Sequence, residues 1–161
     1  MFVIIMGISG SGKSTVGRLL ADRLHWPFFD GDDFHPPENI AKMASGIPLA
    51  DDDRREWLER LSVLVKNANE SGENGILACS ALKLAYRQKL NQGHVCFVYL
   101  KGNYEVIFER LTARTGHFMR SAMLQSQIDT LEEPSDAFTI DIGHSPDEIV
   151  ELIIDYLARH D

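Results

Sequence analysis

The stretch Gly7-Ile8-Ser9-Gly10-Ser11-Gly12-Lys13-Ser14 decides the fold of this chain. It reads G-x-x-x-x-G-K-[ST] and follows the apolar run Phe2-Val3-Ile4-Ile5-Met6. A strand delivers the chain, glycines let the backbone curl, and a helix opens at the lysine. In that order the loop amides converge on an anion, and the helix N-terminus adds partial positive charge. Gly7, Ser9, Gly10, Ser11, Gly12, Lys13, Ser14 and Thr15 form the expected phosphate cradle. Lys13 can reach β- and γ-phosphates, and the Ser14 hydroxyl can ligate Mg²⁺. The amphipathic stretch Ser14–Leu24 supplies the helix that the pattern requires.

Working outward, short apolar runs alternate with helical patterns. Strands are expected at Phe2–Met6, Pro27–Phe29, Gly75–Cys79, Val95–Leu100 and Phe138–Ile142, brief and rich in β-branched or aromatic residues. Helices are expected at Pro37–Ser45, Asp51–Glu70, Leu82–Gln92, Tyr104–Arg114 and Ser121–Leu131. A last one runs from a Ser145 cap and Pro146 to about Arg159. This alternation implies an α/β fold, a parallel sheet wrapped by helices with right-handed crossovers. Ligands in such sheets sit beyond the carboxyl ends of the strands. The segments following each strand, Gly7–Ser14, Asp30–Asp33, Ser80–Lys83 and Lys101–Asn103, are therefore expected to share one crevice.

The bulk properties narrow the field. At 161 residues, one domain is expected, and no repeat or linker divides it. The net charge of −8 disfavours nucleic acid as a partner. Cys79 and Cys96 lie in apolar runs and read as buried thiols. No basic leader or bilayer-length apolar run is visible, so a cytoplasmic protein without a membrane partner is expected.

Phosphoryl transfer needs an acid for the metal and often a base for the acceptor hydroxyl. Asp30 and Asp32, alternating on an extended strand end, would project to one side. One would serve the metal and the other the substrate. His35, ahead of two prolines, reads equally as a turn cap or as a neutral imidazole facing a hydroxylated substrate. In Asp51-Asp52-Asp53-Arg54-Arg55 the acids suit a helix start and the arginines do not, which hints at other work for at least one arginine. Lys83, Tyr86 and Arg87 share one helical face if the helix begins at Leu82; a solvated pair and a binding face are equally open. Arg110 and Arg114, followed by Gly116, His117 and Arg120, suggest a lid over about 115–134 that keeps water from the transferred group.

The phosphate loop, Asp30-Gly31-Asp32 with His35-Pro36, Asn39 with Lys42-Met43 and Gly46, and the run from Pro48-Leu49 to Asp53-Arg54 with Trp57 together resemble the gluconokinase family. So do Cys79-Ser80-Ala81-Leu82-Lys83 with Tyr86-Arg87, Gly116-His117-Phe118 and Glu132-Glu133-Pro134. That family is related to shikimate kinase and the nucleoside monophosphate kinases. The resemblance implies ATP-dependent phosphorylation of the 6-hydroxyl of D-gluconate and five parallel strands in the order 2-3-1-4-5. It also implies a helical lid and a homodimer. By the same resemblance Gly12, Lys13 and Ser14 hold phosphates and Mg²⁺, Asp30 backs the metal, and Asp32 is the base or orienting group. Arg54 and Lys83, with His35, Arg87 and His117, hold the polyol and its carboxylate; Arg114, with Arg110 and Arg120, faces the ATP phosphates. Many members carry proline before the tryptophan, where this chain has Glu56. The rival within the class is a P-loop kinase of another small hydroxylated acceptor, such as shikimate. A GTP-driven switch would want an Asn-Lys-x-Asp motif, which the chain lacks.

Overall fold

The computed structural model describes residues 1–113 and 117–160, with side chains in the second span given from residue 122. Five parallel strands, β1 (Phe2–Met6), β2 (Phe28–Asp30), β3 (Gly75–Ala78), β4 (Val95–Lys101) and β5 (Phe138–Asp141), lie in the order β2-β3-β1-β4-β5. This is the expected order. β1 is central, and all five of its residues are fully buried. Successive side chains alternate between faces. Val3 and Ile5 enter one core with Val16, Leu20, Ile107, Ile149 and Ile153. Phe2, Ile4 and Met6 enter another with Trp57, Leu61, Val65 and Leu90. Each core is capped by helices: α1 (Lys13–Leu24), α5 (Tyr104–Thr112) and α7 (Pro146–His160) on the first face, α3 (Asp51–Ser71) and α4 (Leu84–Leu90) on the second. The short α2 (Pro37–Ala44) and α6 (His117–Thr130) stand at the carboxyl edge of the sheet, where both contribute to the cavity described below.

Three boundaries depart from expectation for local reasons. β2 slides one residue forward because Asp30 pairs with Ala78 in the ladder, whereas Pro27 has no N–H to give. Asp32 is not on an extended strand end: Gly31–Phe34 form a single 3₁₀ turn, capped by the Asp30 carboxylate, which accepts the Asp32 N–H at 3.0 Å. α4 starts at Leu84 rather than Leu82 because Ala81 adopts φ +45° and Lys83 is extended. Lys83 therefore caps the helix and shares no face with Arg87. α7 keeps the expected start, with Ser145 Oγ accepting the Glu148 N–H and Glu148 returning the bond to Ser145 N–H.

Candidate active site

The phosphate loop leaves β1 at Met6 and enters α1 at Lys13. Gly12 caps that helix at φ +95°, a left-handed conformation that glycine adopts without strain. A Cβ on Gly12 would meet nothing within 4 Å, so the loop is an open cradle at a helix N-terminus. At Gly7 the need is different: a Cβ would lie 2.9 Å from the Leu100 carbonyl. Ser11 is buried beneath the turn.

Two cavities flank this loop. One, of about 280 Å³, is lined by Ser9, Lys13, Ser14, Asp30, Asp32, His35, Arg54 and Trp57, with Met43, Pro48 and Leu49 from the α2–α3 side. Ser80 and Leu82 from the β3–α4 loop close another wall, and Met123, Ser126 and Gln127 of α6 form its roof. The other, of about 310 Å³, is lined by Gly10, Ser11, Gly12, Thr15, Arg110, Ile142, His144, Pro146 and Ile149. The loop thus separates an acidic, polar chamber from a more apolar slot, the layout a phosphoryl donor and a hydroxylated acceptor would need on its two sides.

In the acidic chamber the charges are coupled. Lys13 Nζ donates to the Ile8 carbonyl at 3.2 Å, folded back over its own loop. Burial lowers its pKa, while Asp32 and Asp30 pull the other way. The Asp32 side chain is 83% exposed in area, yet it opens into a concavity crowded by protein. That crowding and the like charge of Asp30 raise its pKa; Lys13 opposes them. Ser14 Oγ donates to Asp30 Oδ2 at 3.1 Å. These two hard oxygens, beside an open anion cradle, fit a Mg²⁺ that takes most of its ligands from phosphate and water. Among the described residues no three His, Cys, Asp or Glu side chains cluster into a metal cage. Cys79, also on the wall, has its thiol pushed up to about 12 by burial and stays a neutral lining group.

His35 is buried and stacks on Trp57 with centroids 4.5 Å apart and planes 11° from parallel. Trp57 Nε1 in turn donates to the Gly31 carbonyl at 2.7 Å, tying the sandwich to the acidic turn. Burial, with Arg54 nearby, lowers the His35 pKa to about 4, so the ring is neutral. Its tautomer follows from its neighbour. Asn39 Nδ2 must be the amino group, because it faces the Asp53 carbonyl at 2.6 Å, which can only accept. The same amino group lies 3.2 Å from His35 Nδ1, which therefore accepts. The proton sits on Nε2, 3.9 Å from Asp32 Oδ1. That gap is too long for a hydrogen bond, but it suits one hydroxyl that accepts from His35 and donates to Asp32.

Arg54 reaches the chamber from the first turn of α3, held by one bond from Nη1 to the Tyr86 hydroxyl at 3.2 Å. Among the described residues it makes no ion pair, so its charge is available to a bound anion. The Asp51 carboxylate, by contrast, is taken by Lys83 Nζ at 2.9 Å and by the Tyr86 hydroxyl. Those bonds lower the Asp51 pKa.

Two residues expected to hold the polyol stand outside the lining of the acidic chamber. Lys83 is paired with Asp51 and lines a separate open groove with Ser126 and Asp129, outside the acidic chamber. Arg87 is buried and donates to the carbonyls of Ala81, Leu82 and Glu132; it braces the β3–α4 loop and does not face the chamber. Arg114 and the side chains of His117 and Arg120 lie outside the described residues. Arg110 lines the apolar slot, where Nη2 donates to the Ile142 carbonyl at 3.1 Å. Sequence reasoning missed Gln127, Ser126 and Met123 as site residues, along with Ile142 and His144 of the slot. Their i, i+3, i+4 spacing on α6 marks one helical face, but nothing local shows what that face meets.

Comparison with known proteins sharpens the reading. The family model described as shikimate kinase matches residues 9–158. The thermosensitive gluconokinase of Escherichia coli (strain K12) is 46% identical over 154 residues, covering 92% of this chain and 82% of that one. The crystal structure of a gluconokinase from Sinorhizobium meliloti 1021 superposes with a TM-score of 0.87 at 44% identity, covering 98% of this chain and 91% of that one. An unliganded sugar kinase from Janibacter sp. HTCC2649 gives 0.89 at 42% identity, over 98% and 94%. With a P-loop opening at the edge of a 2-3-1-4-5 sheet and an acidic turn opposite it, the chain belongs to the shikimate kinase family of P-loop kinases and, within it, to the gluconokinases.

Proposed function

We propose that the chain transfers the terminal phosphoryl group of ATP to the 6-hydroxyl of D-gluconate, giving 6-phosphogluconate and ADP. The observation that carries this is the single chamber in which Lys13 and Ser14 stand on one wall and Asp32, His35 and Arg54, which makes no ion pair among the described residues, on the other. The similarity to gluconokinases at 39–46% identity supports gluconate over other hydroxylated acids.

In this reading the amides of Gly10, Ser11, Gly12 and Lys13 hold the phosphates, with Ser9 and Thr15 at the rim. The Lys13 ammonium leaves the Ile8 carbonyl to neutralise charge on the transferred group. The Ser14 hydroxyl, backed by Asp30, would hold a Mg²⁺ ion, which would supply positive charge against the phosphates. Asp32, its pKa raised, accepts the proton of the acceptor hydroxyl as the new O–P bond forms and the bond to the departing ADP breaks. His35 donates through Nε2–H to an acceptor hydroxyl and remains neutral throughout. Arg54 clamps the sugar-acid carboxylate, which explains how an acidic protein selects an anionic substrate. Arg110 and the slot beyond the loop hold the nucleoside end; Arg114 and Arg120 complete the phosphate site and His117 the polyol site. The whole chain is one domain, with the segment over about 115–134 as its lid. Magnesium as the ion, a homodimer as the assembly and the cytoplasm as the compartment belong to the same reading and rest on the family resemblance.

The test is ADP release with ATP–Mg²⁺ against gluconate, glucose, shikimate and related sugar acids. Gluconate alone should support rapid turnover. Equal rates with glucose would refute the carboxylate clamp, and a preference for shikimate would refute the acceptor.

A further inference from the structure

α6 is fastened to the body at two points besides its apolar face. Beyond its C-terminal end, the Glu132 N–H donates to the Leu82 carbonyl at 2.8 Å, and Arg87 Nη2 donates to the Glu132 carbonyl at 2.9 Å. Three residues before that end, Gln127 reaches the phosphate loop, 118 residues away in sequence. The Ser9 N–H donates to Gln127 Oε1 at 2.7 Å, and Gln127 Nε2 donates to Ser9 Oγ at 2.8 Å. The amide orientation is fixed: a backbone N–H can only donate, so Oε1 must face it, which leaves Nε2 for the hydroxyl.

Ser9 is a cradle residue and lines the acidic chamber beside Lys13; Gln127 lines the same chamber with Met123 and Ser126. One carboxamide therefore joins the roof over the acceptor to the loop that would hold the donor. Packing does not require this link. Leu124 is fully buried in the core under α5 and α7, and Ile128 and Leu131 pack against that core, so α6 has an apolar anchor of its own.

We propose that Gln127 is a positioning residue for phosphoryl transfer. Its two bonds to Ser9 hold the first turn of the phosphate loop in register with the roof of the acceptor chamber, and they keep water out of the seam between them. Gln127 acts through Ser9 and touches neither bond that is made or broken. The kinetic part of this inference rests on the gluconate reading above; the structural part does not.

Two measurements test it on the full chain. The first needs no substrate. Amide hydrogen exchange at Ser9 in the ligand-free protein should accelerate at least tenfold in Gln127→Leu, which keeps volume but removes the acceptor. Unchanged exchange would overturn the latch itself. The second is kinetic. Gln127→Leu should lower kcat with gluconate about tenfold or more with a much smaller change in KM for ATP, and should raise the share of ADP released without acceptor. The double variant Ser9→Ala, Gln127→Leu should be little worse than Gln127→Leu alone, because both changes break the same link. Wild-type kcat and acceptor-free ADP release in Gln127→Leu, or fully additive losses in the double variant, would overturn the positioning role. Should the wild type turn over no gluconate, the substrate assignment fails, and the exchange measurement still decides the latch.

Discussion

His35 makes this protein's stability depend on pH in a way that can be calculated. The residue is 7% exposed, stacked on Trp57 and held as an acceptor by Asn39. In the unfolded chain its pKa is the ordinary 6.5; folding lowers it to about 4. Above pH 6.5 both states are neutral and the histidine contributes no pH dependence. As pH falls below 6.5 the unfolded chain takes up a proton that the folded one refuses, so stability is lost until the folded ring titrates as well. Linkage puts the loss from this one group at about 1.4 kcal/mol at pH 5.5 and about 2.6 kcal/mol at pH 4.5, approaching about 3.4 kcal/mol below pH 4. Carboxylates contribute their own acid dependence, so the measurement must be differential. Urea unfolding of the wild type and of His35→Gln at pH 7.5, 6.5, 5.5 and 4.5 isolates the histidine. Whatever constant offset the substitution causes, the gap between the two proteins should shift by those amounts in favour of the variant as pH falls. Parallel stability curves from pH 7.5 to 4.5 would refute the neutral, Nε2-protonated imidazole on which the hydroxyl-donor role depends.

Three further outcomes follow from the site and its frame. Lys13→Ala removes the charge that meets the transferred group and should cost about 2–4 kcal/mol in the transition state, slowing turnover by two to three orders of magnitude in a steady-state ADP assay. Arg54→Ala should raise KM for gluconate by about 10- to 100-fold while leaving KM for ATP nearly unchanged, the signature of a lost charge-assisted bond to the acceptor alone. His25, exposed at the end of α1 with φ +56°, occupies a left-handed position that glycine fills without strain; His25→Gly should stabilise the protein by about 0.5–1 kcal/mol in urea unfolding, with activity unchanged.

What the sequence reveals depends on how far apart the interacting residues lie. The phosphate loop carries its own geometry: strand, glycines, lysine and helix start are contiguous, so Gly12, Lys13 and Ser14 could be placed by reading along the chain. A parallel α/β sheet is almost as legible, because short apolar runs alternate with helical patterns; the strand order itself is implied only by the family resemblance. Asp30 and Asp32 line one chamber, but not through the alternation that the sequence suggests. A β alternation was expected to align them; a 3₁₀ turn capped by Asp30 places both on the chamber wall instead. Lys83 and Arg87 stand outside the chamber lining for a sharper reason. Their shared face assumed a helix from Leu82, and the left-handed Ala81, buried and bonded through its carbonyl to Arg87, delays that helix by a full half-turn. Arg87 itself braces the loop whose shape keeps it out of the chamber lining. Gln127 left no trace in its neighbourhood because both of its partners belong to a residue 118 positions away. Side chains whose work is to join two elements are invisible to any periodicity, whereas those that act within one loop are not. In the proposed mechanism Lys13 and Asp32, at the reacting atoms, are of the second kind, and Gln127, which would hold the loop in register, is of the first.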